Sequence, residues 1–187
     1  MKPWKHFKTI TYHKWLVLQG CFKVGLYWQG LTHDLSKYSP TEFWSGARFY
    51  QGDRSPNTAE REAKGVSEAW IHHKGRNKHH YEYWTDMDMK SGVYVSVPVP
   101  RKYVVEMVMD RRAACMTYHK KTYSDSAPAE YFEKSREKSL MHPQLQQELG
   151  FLLGMLARDG EKATFRYIKK RVLKGKPFPW EENLEKE

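Results

Sequence analysis

Apolar residues recur at three- and four-residue steps along most of this chain, the signature of helices with one buried face. Near the start, Ile10, His13, Val17, Cys21 and Val24 share a face of a helix predicted over residues 3–28, with Pro3 in its first turn. His13 therefore points where apolar residues point. Gly30 is expected to end this helix, and His33-Asp34 to open a short second one that stops before Pro40. Ser39-Pro40-Thr41-Glu42 has the form of a capping box with proline just inside, predicting a third helix to about residue 50. A polar loop over 52–58 precedes a fourth helix, 59–74, closed near Gly75. Residues 76–84 read as a turn or short helix rich in His and aromatics. Residues 86–100, with two Pro, one Gly and alternating Val and Tyr, predict a covering loop or a small hairpin.

A fifth helix is predicted over 100–121. Tyr103, Met107, Asp110, Ala114 and Thr117 share one of its faces, so Asp110 is the odd polar residue on a largely apolar stripe. Further helices are expected over 128–141, 143–158 and 161–174. The tail, 177–187, should pack through Phe178 and Trp180 and then fray. No internal repeat, low-complexity tract or linker interrupts the pattern. The expected fold is all-α, a single-domain helical bundle over residues 1–187.

Composition narrows the classes. The chain has 187 residues, 40% of them hydrophobic and 14% aromatic, which is enough for one real core and unlike a disordered chain. Lys and Arg number 32 against 22 Asp and Glu, a formal charge of +10. That balance favours anionic partners, nucleotides and phosphoesters first and nucleic acid second; a plain basic surface has the same composition. Only Cys21 and Cys115 are present, both in apolar helical contexts. They make neither a disulfide framework nor a zinc–cysteine site and fit a reducing cytoplasm. The start lacks the apolar core of a signal peptide, and the apolar run 15–31 is short for a membrane span and carries Lys23. No membrane partner is expected.

The candidate chemistry sits on polar residues that this pattern turns inward. His33 and Asp34 offer a neutral nitrogen and an anionic oxygen on consecutive residues, and a carboxylate can bridge two ions. His13 and Asp110 supply two more donors from inner helix faces. Four of the nine His fall within residues 72–80, as the pairs His72-His73 and His79-His80. His73 and His80 lie about two turns apart if helix continues, whereas a break at Gly75 brings the pairs in from different elements. The expected metal ligands are His13, His33, Asp34, His73, His79, His80 and Asp110, with His72 less favoured. Each has a plainer reading: a core histidine, a helix cap, a partner for a buried Arg, or a solvated turn. The joint order favours one or two divalent transition ions, Mn, Fe, Zn, Ni or Co.

These residues also resemble a known superfamily. His33-Asp34-Leu35-Ser36-Lys37 resembles the signature of the HD-domain metal-dependent phosphohydrolases, with Ser36 where glycine is common. His72-His73 resembles the paired His of the cyclic-dinucleotide phosphodiesterase branch, and Val108-Met109-Asp110 the helix carrying the last Asp ligand. The resemblance spans about residues 10–118, the expected metal core. More narrowly, the chain resembles an uncharacterised bacterial and phage family of small HD-like proteins. The matches are the run from His33 to Pro40 with Glu42 and Phe43, then His73, Asn77, His79, His80 and Glu82, then Val105, Glu106, Met107 and Asp110. The Gly-Tyr-Pro element of the cyclic-dinucleotide enzymes is absent, and His13 stands close in sequence to His33 for the superfamily.

The resemblance implies an HD-type bundle and hydrolysis of a phosphate ester or anhydride, with a nucleotide as the expected substrate. In that reading Asp34 bridges or orients the attacking water, and Lys37, one turn on, reaches a phosphate oxygen. Glu82 holds an imidazole N–H or acts as a base. Arg76, Lys78, Arg111 and Arg112 are candidate cations for the substrate, and Asn77 orients a ligand or a substrate group. Two other readings compete. One is a di-iron oxygenase of the HD type. The other is a non-catalytic nucleic-acid module on Lys169-Lys170-Arg171 and Lys174-Gly175-Lys176, with Tyr167, Phe178 and Trp180 interleaved.

Overall fold

Pro3 opens the first helix, α1 (Pro3–Val24), and the predicted stripe Ile10, His13, Val17, Cys21 and Val24 is buried along it. The computed structural model describes residues 1–137 and 139–184, with side chains through Glu182. Helix α1 stops short of the expected residue 28. The chain turns at Gly25, where Leu26 N–H closes on the Cys21 carbonyl at 2.9 Å, and restarts as α2 (Tyr27–Thr32). Gly30 lies inside α2 rather than ending a helix. A Cβ there would meet Cys21, Leu18 and Phe22 at 3.1–3.3 Å, so its role is to let α2 pack closely on α1.

A 3-10 turn (Leu35–Tyr38) leads to α3 (Pro40–Arg48). The expected helix over 59–74 is two helices, α4 (Pro56–Lys64) and α5 (Glu68–Lys74). Gly65 divides them at φ 79°, a left-handed conformation that an uninterrupted helix cannot contain. Residues 85–96 resolve the earlier alternative as a hairpin, β1 (Thr85–Asp88) antiparallel to β2 (Val93–Ser96), with Met87 opposite Tyr94.

Helix α6 (Arg101–His119) forms the spine. Val104, Val105, Val108 and Met109 are almost fully buried, between α1 on one side and α8 (Pro143–Lys170) on the other. Helix α7 (Ala127–Arg136) packs on α8 through the buried Phe132. The two helices expected over 143–158 and 161–174 are both present along α8, which breaks at the non-helical Gly160, and the second ends at Lys170. Phe178 and Trp180 do pack, stacked at 4.7 Å, with Phe151 and Tyr167 beside them. Trp180 belongs to α9 (Pro179–Leu184). The expected fraying at 185–187 lies outside the described residues. The architecture is an all-α single domain carrying one small hairpin. No helix among the described residues is long and apolar enough to cross a membrane.

Candidate metal centre

The corner after α2 builds the site. His33 leaves the helix in extended backbone (φ −49°, ψ 125°), and Asp34 turns left-handed (φ 54°, ψ 25°). Asp tolerates that region better than most residues, at about 1–2 kcal/mol for an ordinary side chain. Asp34 stands at the start of the 3-10 turn, but its side chain makes no cap hydrogen bond. Both side chains point inward instead and are 1–2% exposed.

Asp34 is the centre of two groups. On one side its Oδ2 lies 3.3 Å from His33 Nε2 and 3.7 Å from His13 Nε2. Asp110 Oδ1 closes this side at 3.0 Å from His13 and 3.5 Å from His33. On the other side Asp34 Oδ1 lies 3.2 Å from His73 Nε2 and 3.3 Å from His79 Nε2. His80 joins there, its ring centre 4.3 Å from that of His79 and 4.8 Å from that of His73. Within each group the potential ligand atoms lie within 4.8 Å of one another. Metal bonds of about 2.0–2.1 Å put tetrahedral donors about 3.3 Å apart, so these spacings need little adjustment.

The polar atoms facing the centre lack other partners. Nε2 of His33, His73, His79 and His80 and Oδ1 of Asp34 are buried without a hydrogen bond among the described residues. Such atoms are costly unless something bonds them. Four carboxylates, Asp34, Asp110, Glu106 and Glu42, meet here against two lysines. Lys37 Nζ is 2.6 Å from Asp34 Oδ2, and Lys14 Nζ donates to the His33 carbonyl at 2.8 Å. A pocket of negative charge inside a basic protein, lined by unpaired imidazole nitrogens, fits a divalent cation.

A family model described as a family of unknown function (DUF5662) matches residues 2–155. The chain belongs to that family. The match contains every residue of both groups. No curated protein and no solved structure matches the chain.

All seven sequence-expected ligands converge: His13, His33, Asp34 and Asp110 in one group, and His73, His79 and His80 with Asp34 in the other. The break at Gly75 is what allows the second group. His73 comes from the last turn of α5, and His79 and His80 from the loop beyond it. His72 turns aside to Glu42. Asp110 pairs with imidazoles rather than an arginine; Arg112 pairs with Glu161.

Among the other candidates, Asn77 Nδ2 donates to the His73 carbonyl and to Ser36 Oγ, both at 2.8 Å, so it orients that histidine. Arg76 and Lys78 are exposed; Arg76 reaches the His72 carbonyl and Lys78 sits over the Tyr83 ring. Arg111 lies against Phe132. Glu82 hydrogen bonds to no imidazole among the described residues, and its Oε2 is buried and unpaired.

Two glutamates beside the groups, Glu106 and Glu42, carry a weaker signal in the sequence. Glu106 interrupts the apolar run of α6 one turn before Asp110, the same anomaly that marks Asp110. Its Oε1 lies 2.9 Å from His33 Nδ1 and 3.1 Å from His79 Nδ1. Glu42, expected in a capping box, makes no cap with Ser39. It accepts instead from His72 Nδ1 at 2.6 Å and His73 Nδ1 at 2.7 Å, charge-assisted contacts stronger than a cap.

Burial opposes the charge on His33 and His73, yet Asp34 raises both imidazoles above the ordinary range. Burial opposes the charge on Asp34, yet His33 and Lys37 hold its carboxyl well below the usual range. Burial likewise opposes Asp110, and His13 and His33 outweigh it. Burial, then the neighbouring His79 and His73, pushes His80 well below an ordinary imidazole, so it stays neutral and able to donate a lone pair.

Proposed function

We propose that this protein is a metal-dependent phosphohydrolase acting on a nucleotide or other phosphate ester, with one or two divalent first-row ions held around Asp34. The observation that carries the reading is that Asp34 turns one oxygen to each of two imidazole groups, in which four Nε2 atoms are buried without a hydrogen bond. An ion in such a setting lowers the pKa of its bound water so that hydroxide forms near neutral pH. The side chains do the rest. Asp34, ionised and fixed at the corner after α2, aligns both donor sets. Lys37, with 27% of its side chain exposed, keeps a cation at the edge of the cluster where a phosphate oxygen can take over its contact with Asp34. Asn77 and Ser36 hold His73 in place.

The reading agrees with the resemblance of His33-Asp34 to the HD-domain signature, and the +10 charge favours anionic substrates. The two free, buried cysteines suit a cytoplasmic place. The nucleic-acid alternative has less support, because Tyr167, Phe178 and Trp180 pack on one another rather than standing free to stack on bases.

The test is elemental analysis of protein purified without chelator, with a panel of nucleotides, cyclic nucleotides and phosphodiesters. One to two ions per chain and turnover of a panel member are expected. Lys37→Ala should retain metal and raise KM. Metal below a tenth per chain sinks the reading, and oxygen uptake by the iron-loaded protein without phosphoester turnover favours the di-iron oxygenase.

A further inference from the structure

The two groups share more than Asp34. Glu106 is 4% exposed, and its single oxygen Oε1 contacts Nδ1 of both His33 and His79. His33 belongs to the group with His13 and Asp110, and His79 to the group with His73 and His80. Glu42 differs. Its oxygens go to His72 and His73, so it reaches one group only. Among the described residues, Glu106 is the carboxylate outside the two groups that touches an imidazole of each.

An imidazole has one lone pair to give a metal, and the nitrogen that carries the proton decides which side gives it. A carboxylate on Nδ1 keeps the proton there. The lone pair is then on Nε2, and in both His33 and His79 that atom lies 3.3 Å from an Asp34 oxygen. The same contact fixes the ring plane. His33 and His79 stand with ring centres 4.3 Å apart, so a turn of one ring crowds the other.

We infer, on the metal reading above, that Glu106 is a positioning residue that couples the two ion positions. Glu42 serves only the position on the His73 side. Outer carboxylates of this kind are worth about 10–100-fold in metal affinity. Glu106→Gln keeps the shape but loses the charge, so its neutral oxygen holds the two N–H groups more weakly. Both positions should therefore weaken together, whereas Glu42→Gln should weaken one and spare the other.

The test titrates metal-free full-length protein with Zn²⁺ by calorimetry. Two binding events are expected for the unaltered chain. Glu106→Gln should weaken both by about 10–100-fold, and Glu42→Gln only one. Glu106→Asp, which keeps the charge on a shorter arm, should restore part of the loss. Long-range ¹H–¹⁵N spectra of the metal-free protein should show His33 and His79 protonated at Nδ1 in the unaltered chain, and this pattern should be lost in Glu106→Gln. A merely structural role leaves that pattern unchanged in variants that still fold. The inference is overturned if Glu106→Gln weakens one event only or neither. It is also overturned by three events of which Glu106→Gln removes one, since His33, His79 and Glu106 would then hold an ion of their own through Nδ1. No binding by the unaltered chain overturns the metal reading itself.

Discussion

Asp34 combines a left-handed backbone with a carboxylate that meets imidazoles on both sides. The two properties separate by substitution. Asn also tolerates the left-handed region but lacks the charge. Asp34→Asn should therefore fold, with a metal-free melting temperature within about 3 °C of the unaltered chain, and should lose bound metal and turnover. Retained stoichiometric metal would count against Asp34 as a ligand. A second residue-scale feature is His6, 5% exposed against Gly46 on α3, where a Cβ would come within 2.3 Å of its Nε2. Gly46→Ala should destabilise by about 1–3 kcal/mol through overpacking, read as a lower urea midpoint. Burial first, then Lys37, lowers the His6 pKa to about 4, while the unfolded chain titrates near 6.5. The unfolded state therefore takes up the proton first as pH falls. The contribution of His6 is full above about pH 6.5 and should decline toward pH 4 by up to about 3 kcal/mol, at about 1.4 kcal/mol per unit. His6→Gln should flatten that slope in urea titrations at pH 7 and pH 4.5.

At the scale of elements, periodicity located α1 and α6 because each buries a continuous stripe, and that stripe also pointed His13 and Asp110 inward. It did not locate the C-terminal end of α1 or the division of α4 from α5. Those rest on Gly25 and Gly65, whose effect depends on where the chain must turn to meet its neighbours. Glu106 and Glu42 were harder to assign than the histidines. A glutamate at the third position of a helix, or within an apolar helix, has ordinary explanations, and only the approach of α2 and α5 supplies its imidazoles. Gly160 is a clearer case, because its conformation (φ 74°, ψ 174°) is open essentially to glycine alone. Gly160→Ala should cost about 1–3 kcal/mol and lower the melting temperature. The loss should be visible as increased fluorescence change around Trp180, since the segment beyond the bend carries the Tyr167, Phe178 and Trp180 packing. An unchanged melting curve would mean that the bend is not required.

At the scale of the molecule, charge is segregated. The chain has no Asp or Glu before Asp34 while carrying five Lys there, and the acids that matter most are drawn inside. An ion bound among them stabilises the native state by about 4 kcal/mol when free ion exceeds Kd a thousandfold. In a domain of this size that corresponds to a melting shift of about 10 °C. Chelation should lower the melting temperature by that order and added metal restore it. Identical curves with and without chelator would argue against a tightly held ion.

The candidate ligands also have an order in time, because a chain leaves the ribosome from its N-terminus. Once residue 80 has emerged, every donor of the second group has been synthesised: Asp34, His73, His79 and His80. The first group must wait for Asp110. Yet Glu106, which holds an imidazole of each group, arrives one turn ahead of Asp110 on the same helix. The donors of the second group thus precede in the chain both Glu106, which meets an imidazole of each group, and Asp110, and these last two come together on α6.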